Sequence, residues 1–203
     1  GEALAGEQIY HSAKRSAEKK PMIVSMGNVA ASGGYHVSMA ADRLFANPAT
    51  ITGSIGIYGG KADLSGLFEK IDLNTELYTR GRFAGMLTYT RPFTEAEREK
   101  YMHLLQSFYS YFLEVVSKNR GLTVDSVDVL GRGKVFTGRE AARHGLVDEL
   151  GGLKEALDYT AESLGIEDYD IVIYPQKRPL FVLPGQSLFG AIASLFGSDD
   201  NAN

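Results

Sequence analysis

The chain has 203 residues, a formal net charge of −4 and no cysteine. Its 44% hydrophobic and 23% charged residues are typical of a globular protein that buries a core. The acidic balance argues against a nucleic-acid-binding surface. The lack of cysteine excludes disulfides, a cysteine nucleophile and thiolate metal sites. The sequence also contains no run of about 18 apolar residues, which is the length expected of a membrane-spanning helix.

Helix and strand patterns alternate along the chain. Apolar spacing and capping residues predict helices over residues 3–19, 30–41, 64–70, 94–119, from 123 onward, 137–145 and 153–164. Short apolar or β-branched runs predict strands over residues 22–26, 43–59 (interrupted by Pro48 and Gly53), 74–79, 134–136 and 170–174. This alternation is typical of an α/β layered fold with a mostly parallel sheet and flanking helices.

A change in composition after Tyr174 predicts the domain boundary. We expect one domain over residues 1–174 and a C-terminal extension over 175–203, with a short amphipathic helix near 186–196 and a disordered end. The abrupt start on GEALAGEQ predicts a fragment whose N-terminal part is missing.

Ser32 is the candidate nucleophile, in the stretch GNVAASGGYHVSMAAD (27–42). A serine that follows a strand and opens a helix lies near free N–H groups, which suit an oxyanion. Gly33 and Gly34 leave room for a substrate carbonyl, and the Gly33 N–H is a candidate oxyanion donor. The alternative is that Ser32 only caps the helix. The pattern also differs from the G-x-S-x-G elbow, because position 30 is Ala.

No histidine offers an obvious base for this serine. His11, His36, His103 and His144 all lack a triad-like context, and we expect packing or surface roles for them. On the predicted helix, His36 would share a face with Ser32 yet point away from a substrate above the helix N-terminus. No histidine pair has metal-ligand spacing, so we predict no metal site.

GNVAASGGYHVSMAADRLFANPATITGSIGIYGG, TRPFTEAER and GKVFTGREAARHGLVDELGG together resemble the signal peptide peptidase A family, also called protease IV. The resemblance covers about residues 1–165. It implies a ClpP/crotonase-like α/β fold, a Ser–Lys dyad without any cofactor, and hydrolysis of remnant signal peptides through an acyl-enzyme.

The resemblance also implies roles for individual residues. Ser32 becomes the nucleophile, the Gly33 backbone N–H an oxyanion donor, and Ser54 a residue that holds the lysine. We expect Gly34 and Gly53 to border the bound substrate, because the small and apolar residues around them indicate a hydrophobic pocket.

The sequence departs from the family at the lysine. Short members carry it about fifty residues after the serine, in a loop reading G-x-x-K; here the loop is RGRFAG and the lysine position is Ala84. Arg80 and Arg82 cannot replace it, because a guanidinium does not deprotonate near neutral pH. The nearest lysine in the sequence with any claim to the role is Lys61, in IYGGKADL.

Long family members suggest an explanation, because their lysine comes from an N-terminal domain and their serine from a C-terminal one. We therefore expect this chain to be the serine-bearing domain, inactive alone, with its base in a domain absent here. A short enzyme whose lysine was replaced by alanine is the alternative.

The resemblance implies signal peptides or unfolded segments as partners, a homo-oligomer, and a periplasm-facing place at the inner membrane, with this chain itself soluble. Two other functions stay open. One is a non-catalytic pseudo-peptidase or assembly module. The other is a crotonase-type acyl-CoA enzyme, although no carboxylate stands beside Ser32.

Overall fold

The structure of the protein, a computed structural model, describes residues 2–175. The elements in chain order are α1 (Ala3–Ala17), β1 (Ile23–Met26), β2 (Val29–Ala31), α2 (Gly33–Ser38), β3 (Arg43–Ala46), β4 (Ile51–Gly53), α3 (Ser65–Lys70), α4 (Glu95–Arg120), α5 (Val124–Leu130), β5 (Val135–Thr137), α6 (Gly138–Arg143), β6 (Glu149–Leu150) and α7 (Leu153–Leu164). All belong to one compact unit, Gly1–Ile166, and the second unit is Glu167–Asn203.

Two three-stranded sheets position the site. The first has the order β1-β3-β6, with both pairs parallel. The second has the order β2-β4-β5, in which β2 pairs with β4 in parallel and β4 pairs with β5 antiparallel. The predicted α/β class, with mostly parallel strands and flanking helices, is confirmed.

The core lies between the strands and helices α2 and α4. Tyr35 of α2 and Val116 of α4 are fully buried, and the Tyr35 hydroxyl donates to the Leu146 carbonyl at 2.7 Å. Helix α4 begins with the predicted capping box, in which Thr94 and Glu97 exchange side-chain to backbone hydrogen bonds. Met102, Leu105 and Tyr109 of this helix line the cleft beside Ser32.

Three local predictions are wrong. Ala30 and Ala31, which the predicted helix over residues 30–41 included, belong to strand β2 instead, because their backbone pairs with β4. Residues 74–79 and 170–174, both described, form no strand despite suitable side chains. Their backbones pair with no described strand, and side-chain propensity alone does not make a strand. The predicted helix near 186–196 lies outside the described residues, and the domain boundary stays a prediction.

No helix within residues 2–175 is both long and apolar enough to cross a membrane.

Candidate active site

Ser32 occupies a strained turn between β2 and α2. Its backbone has φ 55° and ψ −119°, a combination that is costly for a residue with a side chain. The Ser32 N–H donates to the Gly53 carbonyl at 2.9 Å, and the Ser32 carbonyl accepts from the His36 N–H at 2.8 Å. Its hydroxyl makes no capping hydrogen bond to α2. The capping alternative therefore does not account for the serine.

Ser32 borders two openings. The larger is a cleft of about 820 Å³, whose walls include Ser54, Met102, Tyr109 and Arg132. This volume falls in the range of ligand pockets. The smaller is a cavity of about 60 Å³ on the α1 side. Ser32 therefore borders a cleft that is large enough to hold a bound molecule.

Ser54 shares the larger cleft with Ser32 and also has a strained backbone, with φ 50°. Its N–H donates to the Lys134 carbonyl at 2.7 Å, which fixes the turn after β4. Two serines with positive φ at neighbouring strand ends face one cleft. Strain of this kind is typical of functional sites.

The three predicted glycines occupy different places. Gly33 and Gly34 open α2, and the first N–H groups of a helix have no acceptor within it. Gly33 lines the smaller cavity, whereas a side chain built on Gly34 would meet open space. Gly53 is buried beneath the turn; its φ is +75°, and an added Cβ would lie 2.8 Å from the Phe136 ring. Its carbonyl supports Ser32 directly.

Among the described residues, neither opening has a lysine in its walls. The Lys61 Nζ is buried without a hydrogen-bond partner among residues 2–175 and lies 4.4 Å from the centre of the Phe93 ring. Ala84 belongs to a turn in which its N–H donates to the Gly81 carbonyl at 3.3 Å. The structure therefore does not bring Lys61 or Ala84 together with Ser32 in these openings.

A hydrogen-bonded cluster around Glu7 forms one side of the smaller cavity. The Glu7 carboxylate contacts the Tyr111 hydroxyl at 2.6 Å, His36 Nε2 at 2.8 Å and His11 Nε2 at 2.7 Å. Burial opposes ionisation of Glu7, but the hydrogen bonds from Tyr111 and His36 outweigh it and lower its pKa. Sequence reasoning missed this cluster, because its members come from three helices that meet only in the fold.

Arg132 and Tyr109 also line the larger cleft. The Tyr109 hydroxyl donates to Asp128 at 2.7 Å and accepts from the Arg132 N–H at 3.0 Å. Burial raises the pKa of Tyr109, and the hydrogen bond to Asp128 raises it further. Arg132 also forms an ion pair with Asp128 at 2.5 Å. This wall is polar and hydrogen-bonded, in contrast to the apolar contribution of Met102 and Leu105.

The α/β fold thus places a serine with a strained backbone at the edge of a cleft. Residues 14–167 match the family model described as peptidase family S49. This match covers most of the chain, so the chain belongs to peptidase family S49. The resemblance found in the sequence is thereby confirmed.

Named proteases are among the relatives. The chain is 36% identical over 201 residues to the chloroplastic serine protease SPPA of Arabidopsis thaliana, covering 98% of this chain and 30% of that protein. It is 34% identical over 195 residues to protease 4 of Haemophilus influenzae, covering 96% of this chain and 31% of that protein. The chain thus spans about a third of the length of these relatives.

One solved structure with a similar backbone is ClpP1 from Listeria monocytogenes, with a TM-score of 0.48 and 16% sequence identity. The match covers 77% of this chain and 71% of that one. Another is an enoyl-CoA hydratase/isomerase family protein from Hyphomonas neptunium, with a TM-score of 0.38 and 19% identity over 80% and 42%.

Proposed function

We propose that this chain carries the nucleophile of a serine endopeptidase that works through a Ser–Lys dyad and an acyl-enzyme. The observation that carries the proposal is the Ser32 turn, which is strained, does not cap its helix and borders a cleft large enough for a peptide. Membership of peptidase family S49 supports peptide hydrolysis as the reaction.

In the proposed mechanism the Ser32 Oγ attacks the scissile carbonyl carbon while a neutral lysine amine accepts its proton. The resulting oxyanion is stabilised by the Gly33 N–H, which has no acceptor in the first turn of α2. The lysine then returns the proton to the leaving amine, and water hydrolyses the acyl-enzyme in a second round. Ser54, in the same cleft, holds the lysine.

We propose that the lysine comes from a domain absent from this chain. The lysine-free walls of both openings, among the described residues, support this assignment. The position of Ala84 in the lysine loop supports it too. The Lys61 amine is occupied by the Phe93 ring and is the weaker candidate. The isolated chain would then have little activity.

The proposed substrates are remnant signal peptides and other unfolded segments, cleaved by a homo-oligomer associated with the membrane. The larger cleft has apolar side chains on the α4 side, including Met102 and Leu105, which suit the hydrophobic core of a signal peptide. The names of the relatives support proteolysis rather than this particular substrate.

The test compares the full-length protein with the isolated chain on a fluorogenic signal-peptide substrate. We expect turnover only in the full-length protein, abolished by Ser32→Ala and strongly reduced by Ser54→Ala. Turnover by the isolated chain that depends on Lys61 would refute the external base. Turnover that survives Ser32→Ala would refute the nucleophile. An inactive full-length protein would favour a non-catalytic assembly module.

A further inference from the structure

The Glu7 cluster lies beside the nucleophile turn, and the proposed reaction gives it no role. Glu7 and His36 line the smaller cavity together with Ser32. His36 is only 8% exposed, and its ring lies 5.0 Å from the rings of both Tyr10 and Phe112, measured between centroids. The imidazole is therefore fixed by packing on α1 and α4 as well as by its hydrogen bond.

His36 connects this cluster to the backbone of the nucleophile. The backbone N–H of His36 donates to the Ser32 carbonyl at 2.8 Å and so closes the first turn of α2. Its Nε2 lies 2.8 Å from Glu7 Oε2. A carboxylate only accepts hydrogen bonds. The contact is therefore made by the His36 ring form that carries a hydrogen on Nε2, and that N–H donates a hydrogen bond to Glu7.

Glu7 in turn holds α1 against the turn that contains the oxyanion donor. The neighbouring Gly6 is buried, and a Cβ built on it would lie 4.0 Å from the Gly33 Cα. The other Glu7 oxygen accepts from the Tyr111 hydroxyl at 2.6 Å, which ties α1 to α4. The Glu7 carboxylate of α1 thus links α1 to α2 through His36 and to α4 through Tyr111, next to the Ser32–Gly33 turn.

We propose that Glu7 and His36 are positioning residues, which hold the Ser32–Gly33 turn in the geometry needed to form and stabilise the oxyanion. The inference rests on the proposed function of Ser32. Preorganised donors stabilise the transition state only where they already point at the developing charge. Loss of the network therefore lowers kcat, while the distant contacts that bind the peptide are kept.

The test measures kcat and KM in the full-length protein for His36→Leu, His36→Gln and Glu7→Gln. His36→Leu removes the donor to Glu7 and should lower kcat by about 10-fold or more. KM should change less than about twofold. His36→Gln keeps a side-chain N–H and should recover part of kcat. His103→Gln is the matched control, because His103 is exposed and lies 3.9 Å from Glu99.

A second measurement does not depend on catalysis. In the isolated chain, His36→Leu and Glu7→Gln should speed hydrogen exchange of the amides over residues 33–36 by about 10-fold, with His103→Gln unchanged. If His36→Leu does not fold, Tyr111→Phe, which removes one hydrogen bond from a partly exposed side chain, replaces it.

The two proposals fail in different ways. Normal kcat in His36→Leu and Glu7→Gln, in a protein that Ser32→Ala inactivates, would overturn the positioning role and leave the nucleophile intact. Activity that survives Ser32→Ala would overturn the proposed function. The hydrogen-exchange measurement would then still test whether the Glu7 cluster holds the turn. Unchanged exchange in His36→Leu and in Glu7→Gln would overturn the positioning role.

Discussion

Replacement of Asp148 by Asn should destabilise the fold far more than replacement of the neighbouring Glu149 by Gln. The Asp148 carboxylate accepts from Arg120 Nη2 at 2.7 Å and Nη1 at 3.0 Å, and from the Leu44 N–H at 2.8 Å. The Arg120 and Asp148 side chains are only 10% and 18% exposed. Asn keeps the size but removes the charge, which leaves the largely buried guanidinium without its counter-ion, although its Nε still donates to the Gly145 carbonyl at 2.8 Å.

Removing one partner of a buried ion pair costs about 3–5 kcal/mol, and the partial exposure here places the loss at about 3 kcal/mol. A loss of that size lowers the melting temperature by about 6–12 °C in a chain of this length. Urea denaturation of Asp148→Asn measures it. The control is Glu149→Gln, whose pair with Arg43 is 38% exposed on both sides and should be worth less than about 1 kcal/mol.

The stability difference between the wild type and Asp148→Asn should depend on pH. Burial works against ionisation of Asp148, but the hydrogen bonds from Arg120 and Leu44 outweigh it and its pKa is lowered from 3.8. Its stabilising contribution is therefore present above that ordinary pKa and disappears as the pH falls through the lowered one. The stability gap between the wild type and Asp148→Asn should close in acid. Equal losses for Asp148→Asn and Glu149→Gln at pH 7 would refute the reasoning.

Two further predictions concern local contacts. The hydrogen bonds from Arg91, together with those from Thr94, lower the pKa of Glu97 to about 2. Arg91→Gln should therefore raise the pKa of Glu97 towards 4.5. An unchanged pKa in an NMR titration of the carboxyl groups would contradict this. A Cβ on Gly138 would lie 2.1 Å from the Asn47 carbonyl oxygen, so Gly138→Ala should cost about 1–3 kcal/mol in urea denaturation. Gly66→Ala, built into open space, is its control and should not destabilise.

Local signals in the sequence predicted the elements that local interactions form. The capping pair Thr94 and Glu97 marks the start of α4, and Thr137 marks α6 in the same way. The apolar run that contains β1 was readable for a similar reason, since a buried strand needs apolar side chains on both faces.

Features that depend on distant partners were not predictable. Val29–Ala31 is a strand only because β4 lies beside it, whereas residues 74–79, with strand-like side chains, find no partner within the described part of the chain. The contact between Glu7 and His36 joins residues 29 positions apart. Ser32 itself was found from its glycine-rich context, but its positive φ becomes visible only in the structure.

The measurement that tests the central claim most directly is labelling with a fluorophosphonate probe, followed by mass mapping, on the isolated chain and on the full-length protein. We predict modification of Ser32 in the full-length protein and none in the isolated chain, because we propose that the base lies outside these 203 residues. Modification of Ser32 in the isolated chain would contradict the external base. Modification of a different serine in the full-length protein would contradict Ser32 as the nucleophile.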